Sequence, residues 1–187
     1  HTKAAKAPKE QRGVSLLIDI ENSIKAQESR GYEQWAKIHN LKLAAKTMNF
    51  LTEHQIEQYA DLVSRIEEIT AENEKTADAL KSVEKRLADM AVLMKHVTTY
   101  QKTKPVYEAY RRAKDKDAYR AKQESSLILH EAAVKTLKAA GVTKLPNLAA
   151  MQEEYGKLQA QKEALYADYG KLKKQVKEYD VIKQNID

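Results

Sequence analysis

The chain contains no cysteine, so neither a disulfide framework nor thiol chemistry is open to it. It has only five glycines and three prolines in 187 residues. A sheet with many tight turns needs more of both, which argues against an all-β fold. Trp35 and Phe50 are the sole Trp and Phe; large aromatics bury the most area, so their placement marks a small bundle at their end of the chain. Apolar runs stop after a few residues, as in Leu127-Ile128-Leu129, whereas a membrane helix needs roughly 20. No membrane insertion is expected. No secretory signal is visible, and the lack of cysteine is compatible with a reducing cytoplasm. His1 in place of Met reads as a fragment or tag boundary.

What the chain does have is charge and helical periodicity. Charged residues make up 32% of it, which suits long helices with much solvated surface. One heptad run reads Leu62, Ile66, Ile69, Asn73, Thr76, Leu80, Val83, Leu87, Met90, Met94, Val97. A second reads Leu148, Met151, Tyr155, Leu158, Lys162, Leu165, Tyr169, Leu172, Val176, Tyr179, Lys183, Ile186. Alternating steps of three and four keep one stripe facing a partner helix. Two stripes of similar length predict an antiparallel pair, with Leu80, Val83 and Leu87 meeting Leu158, Leu165 and Tyr169. The first stripe alone would span about 53 Å. Asn73 and Thr76 interrupt it, and a polar seam position commonly fixes register at a cost in stability.

The expected architecture is all-α and elongated: a two-helix antiparallel coiled coil, a small helical bundle at its base and a helical tip. Residues 1–13 read as a flexible linker, 14–57 as the N-terminal helices of the base, and 58–103 as the first coiled-coil helix. Residues 104–146 read as a basic tip and 147–187 as the second coiled-coil helix. Within the base, one helix is expected from Val14 to about Glu28. After Gly31 comes another, Tyr32 to Thr47, with Trp35, Ile38, Leu41 and Ala45 on its apolar stripe. Trp35 is expected to be buried against Ile20 or Ile24 and against Val176, Tyr179 or Ile182. Thr52 is a candidate cap. Pro105 is expected to break or kink the first long helix. A helix is expected from Ala118 to Ala140, closed by Gly141, and Pro146 should open the last one.

Motifs for catalysis are missing. His1, His39, His54, His96 and His130 show no ligand spacing and no H-E-x-x-H pattern, so each reads as a surface or seam histidine and no metal is expected. Glu67-Glu68 and Glu153-Glu154 read as solvated faces. No glycine-rich phosphate loop or nucleophile elbow occurs, so no cofactor is called for and nothing here argues for an enzyme.

The charge is uneven. Residues 61–90 hold five Lys and Arg against eight Asp and Glu, while residues 95–146 hold twelve against five. The basic surplus falls between the heptad runs. There Tyr107 and Tyr110 lie among Lys102, Lys104, Arg111, Arg112, Lys114, Lys116, Arg120 and Lys122, with Tyr100 and Tyr119 nearby. Cations can neutralise phosphates and Tyr rings can stack on unpaired bases. The plainer reading is that the tyrosines pack the tip and the cations are merely solvated. Lys171, Lys173, Lys174 and Lys177 form a second basic strip, diluted by Glu178 and Asp180.

Five segments carry a resemblance: RGVSLLIDIENSIKAQ (12–27), GYEQWAKIHNLKLAAKTMNFLTEH (31–54), EKRLADMAVLMKHVTTYQKTKPVYEAYRRA (84–113), LHEAAVKTLKAAGVTKLP (129–146) and YADY (166–169). Together they resemble the C-terminal helical region of conjugative relaxases of the plasmid-mobilization type. In that family an N-terminal nuclease domain nicks DNA with a tyrosine, assisted by a metal on a histidine cluster. This chain has no such cluster, so no catalytic residue carries over. The resemblance implies a bacterial, cytoplasmic, non-catalytic module without its nuclease. Its implied partners are DNA, single-stranded or duplex, or the coupling and secretion proteins of conjugation. A structural coiled-coil spacer or oligomerisation element is the alternative.

Overall fold

A computed structural model describes residues 16–187. The chain is all-α: α1 (Ile24–Glu28), α2 (Arg30–Glu53), α3 (Tyr59–Arg112), α4 (Lys116–Lys122), α5 (Glu124–Ala139) and α6 (Leu148–Ile186). There is no strand among the described residues. The expected linker at 1–13 and the expected helix start at Val14 lie outside them. The described chain divides into two compact units, residues 16–75 with 168–187, and residues 76–167. Helices α3 and α6 each contribute to both.

The first unit corrects the reading of the N-terminal helices. Residues 16–22 are not helical. Their backbone groups bond to side-chain amides instead. The Leu17 N–H donates to Asn185 Oδ1 at 2.9 Å, and the Ile18 N–H donates to Asn40 Oδ1 at 2.8 Å. Asn40 Nδ2 returns a bond to the Ile18 carbonyl at 2.8 Å. Helix α1 is a single turn capped by Ser23. Ser29 caps α2, so Gly31 lies inside that helix rather than before it.

Helix α2 also turns a different face to the core than the large side chains suggest. Ala36, Leu43, Thr47 and Phe50 are buried, and Asn40 fills the step between Ala36 and Leu43. Trp35, expected inside, is 52% exposed; its ring stacks on His39 at 5.0 Å. Ile38 and Leu41 are exposed as well, and so is Ile24. Hydrogen bonding selects the face. Asn40 must point inward to hold Ile18, and Thr47 Oγ1 accepts from Asn185 Nδ2 at 3.4 Å. Buried polar groups need such partners, and satisfying them rotates the bulkier residues outward.

Helix α2 continues past Thr47 to Glu53. Thr52 is not a cap; its hydroxyl donates to the Met48 carbonyl within the last turn. The helix ends in a Schellman cap. The Ile56 N–H donates to Leu51 O at 2.9 Å and the Gln55 N–H to Thr52 O at 3.1 Å, with Gln55 at φ +55°. Ile56 then joins Phe50, Leu62, Tyr179 and Ile182 in the core of this unit. The Phe50 and Tyr179 rings meet edge to face at 4.9 Å. The Tyr59 hydroxyl donates to the Asp187 carboxylate at 2.8 Å, and Lys183 does the same at 2.8 Å.

In the second unit the heptad seams meet at Val83, Leu87, Leu158 and Leu165 as the periodicity predicts, whereas Leu80 is buried outside that cluster and Tyr169 belongs to the other unit. Val83 and Leu87 pack with Leu158, and Leu165 and Tyr155 lie against them. Glu84 pairs with Lys162 at 3.5 Å, while Val97 packs with Met151. Residue numbers rise along α3 as they fall along α6, so the two run antiparallel. Leu137 of α5 joins Val97 and Met151.

Pro105 does not break α3; the helix runs on to Arg112. A proline in a helix interior forfeits one hydrogen bond and costs about 3 kcal/mol. The Val97 cluster before it and the ring contacts of Tyr107 after it anchor both sides. The expected helix from Ala118 to Ala140 is two helices, parted at Gln123. Gly141 closes α5 as expected, at φ +75° in a second Schellman cap with bonds from Val142 to Leu137 and from Gly141 to Lys138. Pro146 stands just outside α6. Asn147 caps that helix, its Oδ1 accepting from the Ala149 and Ala150 N–H groups.

Candidate nucleic-acid interface

The basic stretch belongs to the second unit, where the end of α3, the short α4 and the start of α5 bring its residues together. His130 is the centre of the packing. It lies on the inward face of α5 with Leu127, Ala133 and Leu137, all buried. Tyr100 and Tyr107 are two helical turns apart on α3, and their rings clamp the imidazole at 4.9 and 4.5 Å. The Thr103 hydroxyl, between them in sequence, is 2.9 Å from His130 Nδ1 and 2.7 Å from the Thr99 carbonyl. A hydroxyl has one proton to donate, and the carbonyl can only accept. Thr103 therefore donates to Thr99 and accepts from His130, which fixes the Nδ1–H tautomer. Burial pushes the His130 pKa down from its ordinary value, partly countered by the nearby Glu131 carboxylate.

A second contact set surrounds Tyr110. The Arg120 guanidinium sits 5.8 Å from its ring centroid. Arg120 also forks onto Glu131, both N···O distances being 3.1 Å. This bidentate pair first, and the neighbouring Tyr110 second, raise the Arg120 pKa. Tyr119 lies against Tyr110 at 6.4 Å. Tyr100, Lys104, Tyr107, Arg111, His130 and Lys138 line a cavity of about 350 Å³ between α3 and α5.

The ten candidate residues thus separate into two groups. Tyr107, Tyr110 and Arg120 are half-buried and engaged in packing or pairing. Lys102, Lys104, Arg111, Arg112, Lys114, Lys116 and Lys122 are exposed. Lys104 lies 3.9 Å from Glu108. The other six form no ion pair with described residues. Sequence reasoning missed Thr103 and Glu131. The Arg120–Glu131 pair depends on the break at Gln123, which neither Gly nor Pro announces. Among the described residues no group of His, Asp and Glu is arranged to hold a metal ion, and no helix is long and apolar enough to cross a membrane.

Compared with protein-family models, curated proteins and solved structures, the chain matches none.

Proposed function

We propose that this chain is a non-catalytic helical module of a bacterial conjugative relaxase, and that it handles the DNA being transferred. The resemblance of its segments to that family's C-terminal region motivates the reading. The observation that carries it is the stretch Arg111, Arg112, Lys114, Lys116 and Lys122, five exposed cations without a carboxylate partner among the described residues. Such a cluster gains affinity from phosphates by releasing counterions. Tyr107 stacks on His130 and lies against Tyr110, and Tyr110 also meets Tyr119 and the Arg120 guanidinium. Binding on this reading is therefore mainly electrostatic.

The test is binding of single-stranded DNA across a salt series. Five phosphate contacts would give a log-affinity slope against log salt of about −3.5, at roughly −0.7 per contact. Replacing Arg111 and Arg112 together with Ala should flatten it by about 1.4. Absence of binding to single-stranded and duplex DNA at low salt would overturn the reading, as would an unchanged slope in the double variant. Recruitment of coupling or secretion proteins, or a spacer role, would then replace it. The spacer reading draws on the rings themselves, which pack α3 against α5 and α4.

A further inference from the structure

The cavity between α3 and α5 joins two kinds of surface. Val134 on α5, with Val142 and Leu145 in the loop that follows, supplies an apolar wall. Lys104 and Arg111 on α3 and Lys138 on α5 supply cations from both sides. Glu108, also in the lining, offsets Lys104 at 3.9 Å. Arg111 and Lys138 form no ion pair with described residues. The faces of Tyr100 and Tyr107 turned to His130 are taken. What remains open is wall and charge rather than a stacking slot.

The volume, about 350 Å³, lies at the low end for a small-ligand site, so the occupant is a single small group. An apolar wall beside two unpaired cations suits a ligand that is part ring and part anion. Arg111 narrows the choice. It lines the cavity and also begins the exposed run Arg111, Arg112, Lys114, Lys116 and Lys122. A single strand held by its phosphates along that run passes the cavity, and an unpaired base is free to leave the strand and enter. A base paired within a duplex is not.

We propose that this cavity takes one nucleotide of a single strand, its base against Val134, Val142 and Leu145 and its phosphate between Arg111 and Lys138. On this view, which rests on the DNA reading, the exposed run holds backbone whatever it carries, and the cavity requires a base.

The probes are a fluorescein-labelled strand of about ten thymidine nucleotides and a strand of the same length made of abasic sites, both titrated with the full chain and followed by anisotropy. They carry the same phosphates, so the exposed run contributes equally to each. The thymidine strand should bind roughly tenfold more tightly, the scale expected for one base given a site of its own. Leu145→Glu should bring that ratio close to one, because it removes apolar wall and sets a carboxylate where the nucleotide would lie. Any general repulsion of phosphates falls on both strands and cancels in the ratio. Leu145 is exposed in its loop, so the variant should keep the helical circular dichroism and melting temperature of the parent. Thr143→Glu, exposed in the same loop and also in the lining, serves as the second variant if Leu145→Glu melts early. Equal affinity of the parent for both strands would overturn the proposal and leave the DNA reading standing. A preference for thymidine that survives both variants would also overturn it, since the base would then be held elsewhere. Binding of neither strand at low salt would remove the DNA reading and this site with it.

Discussion

Two helices of this chain end in the same Schellman cap, but with different residues at the left-handed position. Gly141 has it after α5, at φ +75°; Gln55 has it after α2, at φ +55°. In both, the following residue donates back across the turn and is apolar: Val142 to Leu137, Ile56 to Leu51. A side chain at positive φ brings Cβ against the backbone and costs about 1–2 kcal/mol. Glycine avoids that cost but adds about 0.5–1 kcal/mol of unfolded-chain entropy. Gln55 is exposed and no hydrogen bond of its side chain stands against the change. Gln55→Gly should therefore stabilise the protein by about 0.5–1 kcal/mol, the difference of those terms. Gly141→Ala should destabilise it by a similar amount. A Cβ there meets nothing within 4 Å, so only backbone strain contributes. For a chain of this size each change should move the melting temperature by about 1–4 °C, in opposite directions. Thermal melts followed by circular dichroism, with urea titrations, would measure both. A Gln55→Gly protein that melts at or below the parent would refute the argument, because it would mean that the left-handed residue is unstrained.

Leu62 is fully buried among Phe50, Ile56, Tyr179 and Ile182; Leu62→Ala should cost about 2–5 kcal/mol in urea unfolding. Asn73 Oδ1 is buried without a hydrogen-bond partner. Asn73→Leu should raise stability by about 1–3 kcal/mol, and a lower urea midpoint would show that the amide has a role the seam does not reveal. His130 has a folded pKa below its unfolded 6.5, so the unfolded chain takes up the proton more readily. Its contribution is complete above pH 6.5 and declines as pH falls below that value toward the folded pKa. The His130→Phe protein, lower in overall stability because Thr103 loses its partner, should show a flatter stability profile below pH 6.5 in parallel urea series.

The sequence makes the pairing of α3 with α6 legible because Val83, Leu87, Leu158 and Leu165 are large and fall at heptad spacing. Burial and periodicity agree there. The same logic misleads on α2. Its buried seam is marked by Ala36, Asn40 and Thr47, while Ile38, Leu41 and Met48 face outward. What decides is a pair of amide clamps on residues 17 and 18, formed with partners 22 and 168 positions away. No local pattern encodes them. Pro105 is a second case, in which tertiary anchoring outweighs a strong local preference. At the candidate site, the spacing of Leu127, His130, Val134 and Leu137 puts them along one face of α5; Leu127, His130 and Leu137 are buried there, while Ala133 is buried and Val134 only half-buried. The clamp of His130 by two tyrosines was not legible, because Tyr100 and Tyr107 belong to another helix.

The hydrogen bond from Leu17 to Asn185 has a mechanical consequence. It joins backbone near one end of the described chain to a side chain near the other, within a single unit. Residues 76–167 lie wholly between those points in the sequence. Tension applied across the two ends is therefore borne first by the short contacts around Asn40, Thr47 and Asn185. The intervening unit carries no load until those contacts have parted.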